Sequence, residues 1–91
     1  MGDHPVYYRA CFYINGAYEP WRTELVTSVS ELVTAIDDEC ARLVNEGLFT
    51  DVRSVDIERD LRDDPLRPVL WFKGPWKRPR TLLREIKNAL D

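Results

Sequence analysis

The chain has one histidine, two cysteines and four glycines in 91 residues. Each scarcity removes a class of chemistry. The histidine is His4, near the start of the sequence. A Ser-His or Cys-His nucleophile needs an imidazole held by a third group, and residues 1–5 are expected to form a flexible N-terminus. Zinc asks for three or four Cys, His or acidic ligands at suitable spacing, which His4, Cys11 and Cys40 do not supply. The glycines, at 2, 16, 47 and 74, are too dispersed for a phosphate-cradling loop. No metal, no cofactor and no catalytic residue is therefore expected.

Long apolar runs are missing too. None approaches the roughly 18–20 residues of a membrane span. Met1-Gly2-Asp3-His4-Pro5 carries neither a basic nor an apolar leader segment. The expected location is the cytoplasm, without a membrane partner. Cys11 falls in a strand pattern and Cys40 in a helical one. Both read as small buried hydrophobes rather than a disulfide framework.

Carboxylates are plentiful, but their spacing is uninformative. Asp60, Asp63 and Asp64 lack the alternation and closing Glu of a calcium loop and read as a solvated loop beside Arg62 and Arg67. Asp37, Asp38 and Glu39 fan over roughly 200° of a helix, so they read as an outer, solvated face.

What is present describes one small domain. Hydrophobic residues make up 44% and charged residues 32% of the chain, with net charge −3, an ordinary globular composition. Val6, Tyr8, Ala10, Phe12 and Ile14 alternate with Tyr7, Arg9, Cys11 and Tyr13, giving a strand over 6–14 with the first set facing the core. Asn15-Gly16 then signals a tight type I′ hairpin turn, with a second strand over about 17–27. A plain two-residue turn sets Arg9 opposite Arg22, which is unfavourable. Pro20 lies between and cannot donate to a ladder. The reading is a bulge near Pro20, an edge position for strand two, or both.

Ser28-Val29-Ser30-Glu31 fits a capping box, opening a helix from Val29 to about Glu46. Its apolar stripe is Val29, Leu32, Val33, Ile36, Cys40, Leu43 and Val44, and Gly47 suits a left-handed C-terminal residue. A third strand covers about 52–60, with Val55 and Ile57 inward and Asp56 and Glu58 outward. Residues 60–68 carry two prolines and read as a loop. Val69-Leu70-Trp71-Phe72 reads as a fourth strand, ending at Lys73; four apolar residues in a row imply cover on both faces or a central place in the sheet. Gly74-Pro75 ends it. Pro79 suits a first helical residue, followed by the stripe Leu82, Leu83, Ile86, Ala89 and Leu90. The order is β-β-α-β-β-α. It predicts an α+β fold: a four-stranded, mainly antiparallel sheet with two helices packed on one face.

Two features point to contact rather than catalysis. Residues 73–91 hold six Lys or Arg against two Asp or Glu, whereas residues 1–72 hold seven against fourteen. Lys73, Lys77, Arg78, Arg80, Arg84 and Lys87 surround Trp76, and cations interleaved with an aromatic suit single-stranded nucleic acid. Lys77, Arg78 and Arg80 also crowd a helix N-terminus, where the macrodipole favours negative charge. The second feature is aromatic: Tyr7, Tyr13 and Tyr18 are expected on the outward sheet face, with Trp21 able to join either. Such residues dominate binding hot spots. The reading is a small non-catalytic module that binds another protein (an adaptor, inhibitor or immunity-type regulator) through this aromatic face and the Trp76 loop. A homodimer through strand two or the aromatic face is a further expectation. The alternative is nucleic-acid binding through residues 73–87.

Overall fold

The computed structural model describes residues 6–61 and 64–90. The expectations for residues 1–5, for His4 and for Asp63 fall outside them. The elements are β1 (Tyr8–Ile14), β2 (Trp21–Arg22), α1 (Val29–Asn45), a short 3-10 turn (Phe49–Asp51), β3 (Val52–Leu61), β4 (Asp64–Lys73) and α2 (Pro79–Leu90). The sheet order is β2-β1-β3-β4, with every neighbouring pair antiparallel. Both helices pack into one core with a single face of the sheet: Leu32, Ile36, Cys40 and Leu43 from α1, Leu82 and Ile86 from α2, and Ala10, Phe12, Val55 and Ile57 from β1 and β3. The expected α+β architecture is the one observed.

The helix boundaries follow from their caps. Ser28 Oγ accepts from the amide of Glu31 at 3.1 Å. The return arm of the capping box lands one residue earlier than expected, with the Glu31 carboxylate accepting from the amide and hydroxyl of Thr27 at 3.1 and 3.3 Å. At the far end Gly47 has φ 72°. The amides of Leu48 and Gly47 donate to the carbonyls of Leu43 and Val44 at 2.8 and 3.0 Å, which is the Schellman arrangement. The buried stripe is narrower than its spacing implied, since Val29 and Val44 are exposed. Glu39, expected on the solvated face, is buried and lies 3.6 Å from Arg42.

The first hairpin is looser than Asn-Gly predicts. Only Gly16 has positive φ, at 82°, whereas a type I′ turn needs it at both central residues. The amide of Ala17 donates to the carbonyl of Ile14 at 3.1 Å, while that of Asn15 donates away from the hairpin, to Asp51 at 2.9 Å. The chain rejoins β1 only at Trp21, pairing Phe12 with Trp21 and Cys11 with Arg22. This shift keeps Arg22 from opposing Arg9. Strand two is accordingly a two-residue edge beside Pro20. Val6 and Tyr7 precede β1, and Val6 is exposed rather than in the core.

The largest departure is at the second hairpin. Residues 60–68, read as a loop, belong mostly to two ten-residue strands. β4 is not central; it is an edge. Pro65 and Pro68 are tolerated there because an edge strand can leave backbone positions unpaired on its outer side. The pairing register shifts between Ile57 and Glu58, whose partners are Leu70 and Pro68, leaving Val69 as the extra residue of a bulge.

Two substitutions test this account of the packing. Ile36→Ala, at a fully buried position, should lower unfolding free energy in urea by about 2–5 kcal/mol. Ser28→Ala should cost about 1 kcal/mol. Equal, near-zero effects would contradict it.

Candidate functional site

With both helices on one face, the other face of the sheet displays three cross-strand rows. The pairings place Arg9 beside Glu58; Arg22, Cys11, Asp56 and Trp71 in a second row; and Tyr13, Ser54 and Lys73 in a third. The rows follow from strand alternation, which sends Phe12, Val55 and Phe72 to the helices and their neighbours outward.

The centre of this face is tied together. Arg9 Nε donates to Glu58 Oε1 at 2.9 Å, and its terminal nitrogen lies 2.7 Å from the same oxygen. Cys11 Sγ donates to that oxygen at 3.2 Å. The bond to Glu58 raises the Arg9 pKa above its usual value. Burial, then the bond to Glu58, pushes the Cys11 thiol up to about 11. Burial, then the nearby Asp56 carboxylate, raises the Tyr13 pKa; burial raises that of Asp56, and Tyr13 opposes this rise. Glu58 is the shared partner of Arg9 and Cys11.

Toward the β4 edge the character changes. Trp71 is 71% exposed, a large ring standing on a sheet face that no helix covers. Lys73, two residues on, is exposed beside it. The sequence reading missed Trp71 because it sits in a continuous apolar run. The signal was available: Pro65 and Pro68 in the same strand mark it as an edge, and Trp71 and Lys73 share a parity.

The aromatic residues singled out from sequence separate into different places. Tyr13 lies on the open face, as expected. Tyr7 is exposed just before β1, and Tyr18 is fully exposed in the 15–20 connection. Trp21 does not join the open face. It pairs with Phe12 and packs, half-buried, against the core on the helix side.

Trp76 is not a surface anchor. It is 5% exposed and part of the core, with Nε1 donating to the Glu85 carboxylate on α2. A Cβ built on Gly74 would lie 2.8 Å from its ring and 2.9 Å from the Val52 carbonyl oxygen, so the ring occupies space that only glycine leaves open. A buried Trp whose N–H finds a partner is a packing residue first.

The cations around Trp76 remain outside: Lys77, Arg78, Arg80, Arg84 and Lys87 are exposed. Among the described residues none of them makes an ion pair.

On the helix side a cleft of about 380 Å³ opens between the start of α1 and the end of α2, with Val29, Arg59, Val69, Leu70 and Leu90 among its walls. Arg59 Nε is buried there without a partner. The cleft is on the opposite side of the sheet from Trp71. Among the described residues no group of three His, Cys, Asp or Glu could hold a metal, and no helix is long and apolar enough to cross a membrane.

Compared with known proteins, the chain matches no family model, no curated protein and no solved structure. Its functional reading therefore rests on the surface just described.

The thiol environments can be checked directly. Cys11 and Cys40 are buried, and burial pushes the Cys40 thiol up to about 12. The thiolate is the reacting form. At pH 8 both should react slowly with an aromatic disulfide reagent in native buffer and rapidly in denaturant. Fast native reaction of either would contradict the placement.

Proposed function

We propose that the chain is a non-catalytic module that binds another protein, in the manner of an adaptor, inhibitor or immunity-type regulator. The contact runs over the open sheet face, with Trp71 at its centre and Tyr13 beside it. The single observation that carries this reading is the exposure of Trp71 on that face. A solvated Trp loses apolar contact with water when a partner covers it, and such residues anchor binding hot spots. The Arg9–Glu58 pair supplies a rigid, already satisfied patch next to it, so docking there orders few side chains. Tyr18, at the tip of the first connection, and Tyr7 lie outside the sheet and act as rim contacts. The absence of catalysis is part of the proposal: on this face Arg9 and Cys11 share the Glu58 carboxylate. Two buried thiols with no disulfide suit the cytoplasm.

A second reading is kept because one observation favours it. Five exposed cations, Lys77, Arg78, Arg80, Arg84 and Lys87, stand without ion pairs among the described residues. They suit phosphate. Trp76, however, is unavailable for stacking, so this surface lacks the aromatic platform that single-stranded nucleic acid uses.

Affinity measurements on the captured partner separate the two. For a protein docked on the open face, Trp71→Ala should weaken binding by about 2 kcal/mol, roughly thirtyfold. Tyr13→Ala should weaken it less, and salt should matter little. For a nucleic acid, affinity should fall log-linearly with salt, and Lys77→Ala and Arg78→Ala should each reduce that slope by about 1. A binding reaction that ignores Trp71→Ala and follows the salt law would replace the first reading with the second.

A further inference from the structure

Among the described residues, no strand pairs with the outer edge of β4. The amide of Gly74 donates to the carbonyl of Arg53 at 2.8 Å. Residues 54 and 73, 55 and 72, 56 and 71, and 57 and 70 are opposed. In an antiparallel ladder, hydrogen-bonded and non-hydrogen-bonded pairs alternate. Phe72 and Leu70 therefore exchange bonds with β3. Trp71 and Lys73 direct both N–H and C=O outward, away from the sheet.

This free edge is short and sharply bounded. Pro68 and the bulge at Val69 close it on one side, and Pro75 closes it on the other. A long foreign strand would meet a proline at either end. A second copy of β4 can use the short segment between them, running antiparallel about a two-fold axis at Phe72. Trp71 would then oppose the partner's Lys73, and Lys73 the partner's Trp71. Each such pair exchanges two backbone hydrogen bonds, so the two outward residues of each chain are fully used. No like charges face each other. Each Lys ammonium sits beside a Trp ring, a favourable cation–π arrangement. On the helix side, the two half-buried Phe72 rings meet as a non-hydrogen-bonded pair, the closer of the two pair types.

We propose that the chain forms a homodimer through β4, joining two sheets into one of eight strands with Phe72 on the two-fold axis. The pairing is isologous, so it closes at two copies. It leaves the open face uncovered and doubles it, with both Trp71 rings near the centre. The proposal stands on backbone geometry and does not rest on the protein-docking reading; it needs only the purified chain.

The experiment has two parts. Sedimentation equilibrium on the full chain should give twice the 10.7 kDa chain mass. Lys73→Pro removes an N–H that β3 does not use, so it should return the chain to a single mass with its circular dichroism retained. The second part reads the register. Phe72→Cys places the two Cα atoms about 4.5 Å apart, within disulfide range, and should give an oxidised covalent dimer. Trp71→Cys places them diagonally at about 7–8 Å and should not. A chain that stays monomeric up to its solubility limit overturns the proposal. So does a dimer indifferent to Lys73→Pro, or one that cross-links through position 71 and not 72.

Discussion

Phe12, Leu32, Ile36, Leu43, Val55, Ile57, Leu82 and Ile86 meet in a single apolar layer between one sheet face and two helices. A chain of this size buries roughly 60–65% of its unfolded surface, enough for one such layer and not for two. Both helices must therefore share a face. The opposite face of β1, β3 and β4 is left to groups that tolerate water. Trp76 reinforces the constraint. Its ring fills the space over Gly74, and its Nε1–H binds Glu85, so the turn out of β4 is locked to the helix that follows.

From that constraint the two faces acquire different chemistry. The covered face is apolar, apart from the Arg59 guanidinium at the cleft. The uncovered face has a polar centre, where Arg9 and Cys11 both bond Glu58. Buried polar groups need such partners, and a satisfied network rigidifies the surface it belongs to. Trp71 is the exception, a large apolar ring left mostly in solvent, and the functional reading follows from it. The β4 edge adds a second unmet demand, in the backbone rather than the side chains.

Much of the fold was legible because period and caps agreed. Ser28, Glu31 and Gly47 bracket α1, and the alternation in 8–14 and 52–58 identifies two strands and their inward sets. The failures share a cause: they lie where tertiary position overrides local pattern. Val69 to Phe72 is apolar throughout, which reads as central, yet Val69, Leu70 and Phe72 reach the core from an edge and Trp71 points away. Residues 60–68 look like a loop by composition, but pairing with β3 draws them into a strand. Trp76 sits among cations in sequence and among core residues in space, because one turn of backbone at Gly74 separates the two environments. The site was half legible for the same reason. Tyr13 could be placed by parity, whereas Trp21 depended on a register that the loose first hairpin resets.

The central claim is that the sheet is covered on one side only, with Trp71 outside and Trp76 within. Hydroxyl-radical footprinting of the native chain, read by mass spectrometry at each tryptophan, tests it most directly. The account predicts rapid oxidation of Trp71, slower oxidation of half-buried Trp21, and protection of Trp76 until the chain unfolds. Oxidation of Trp76 as fast as Trp71 in the folded protein would contradict it.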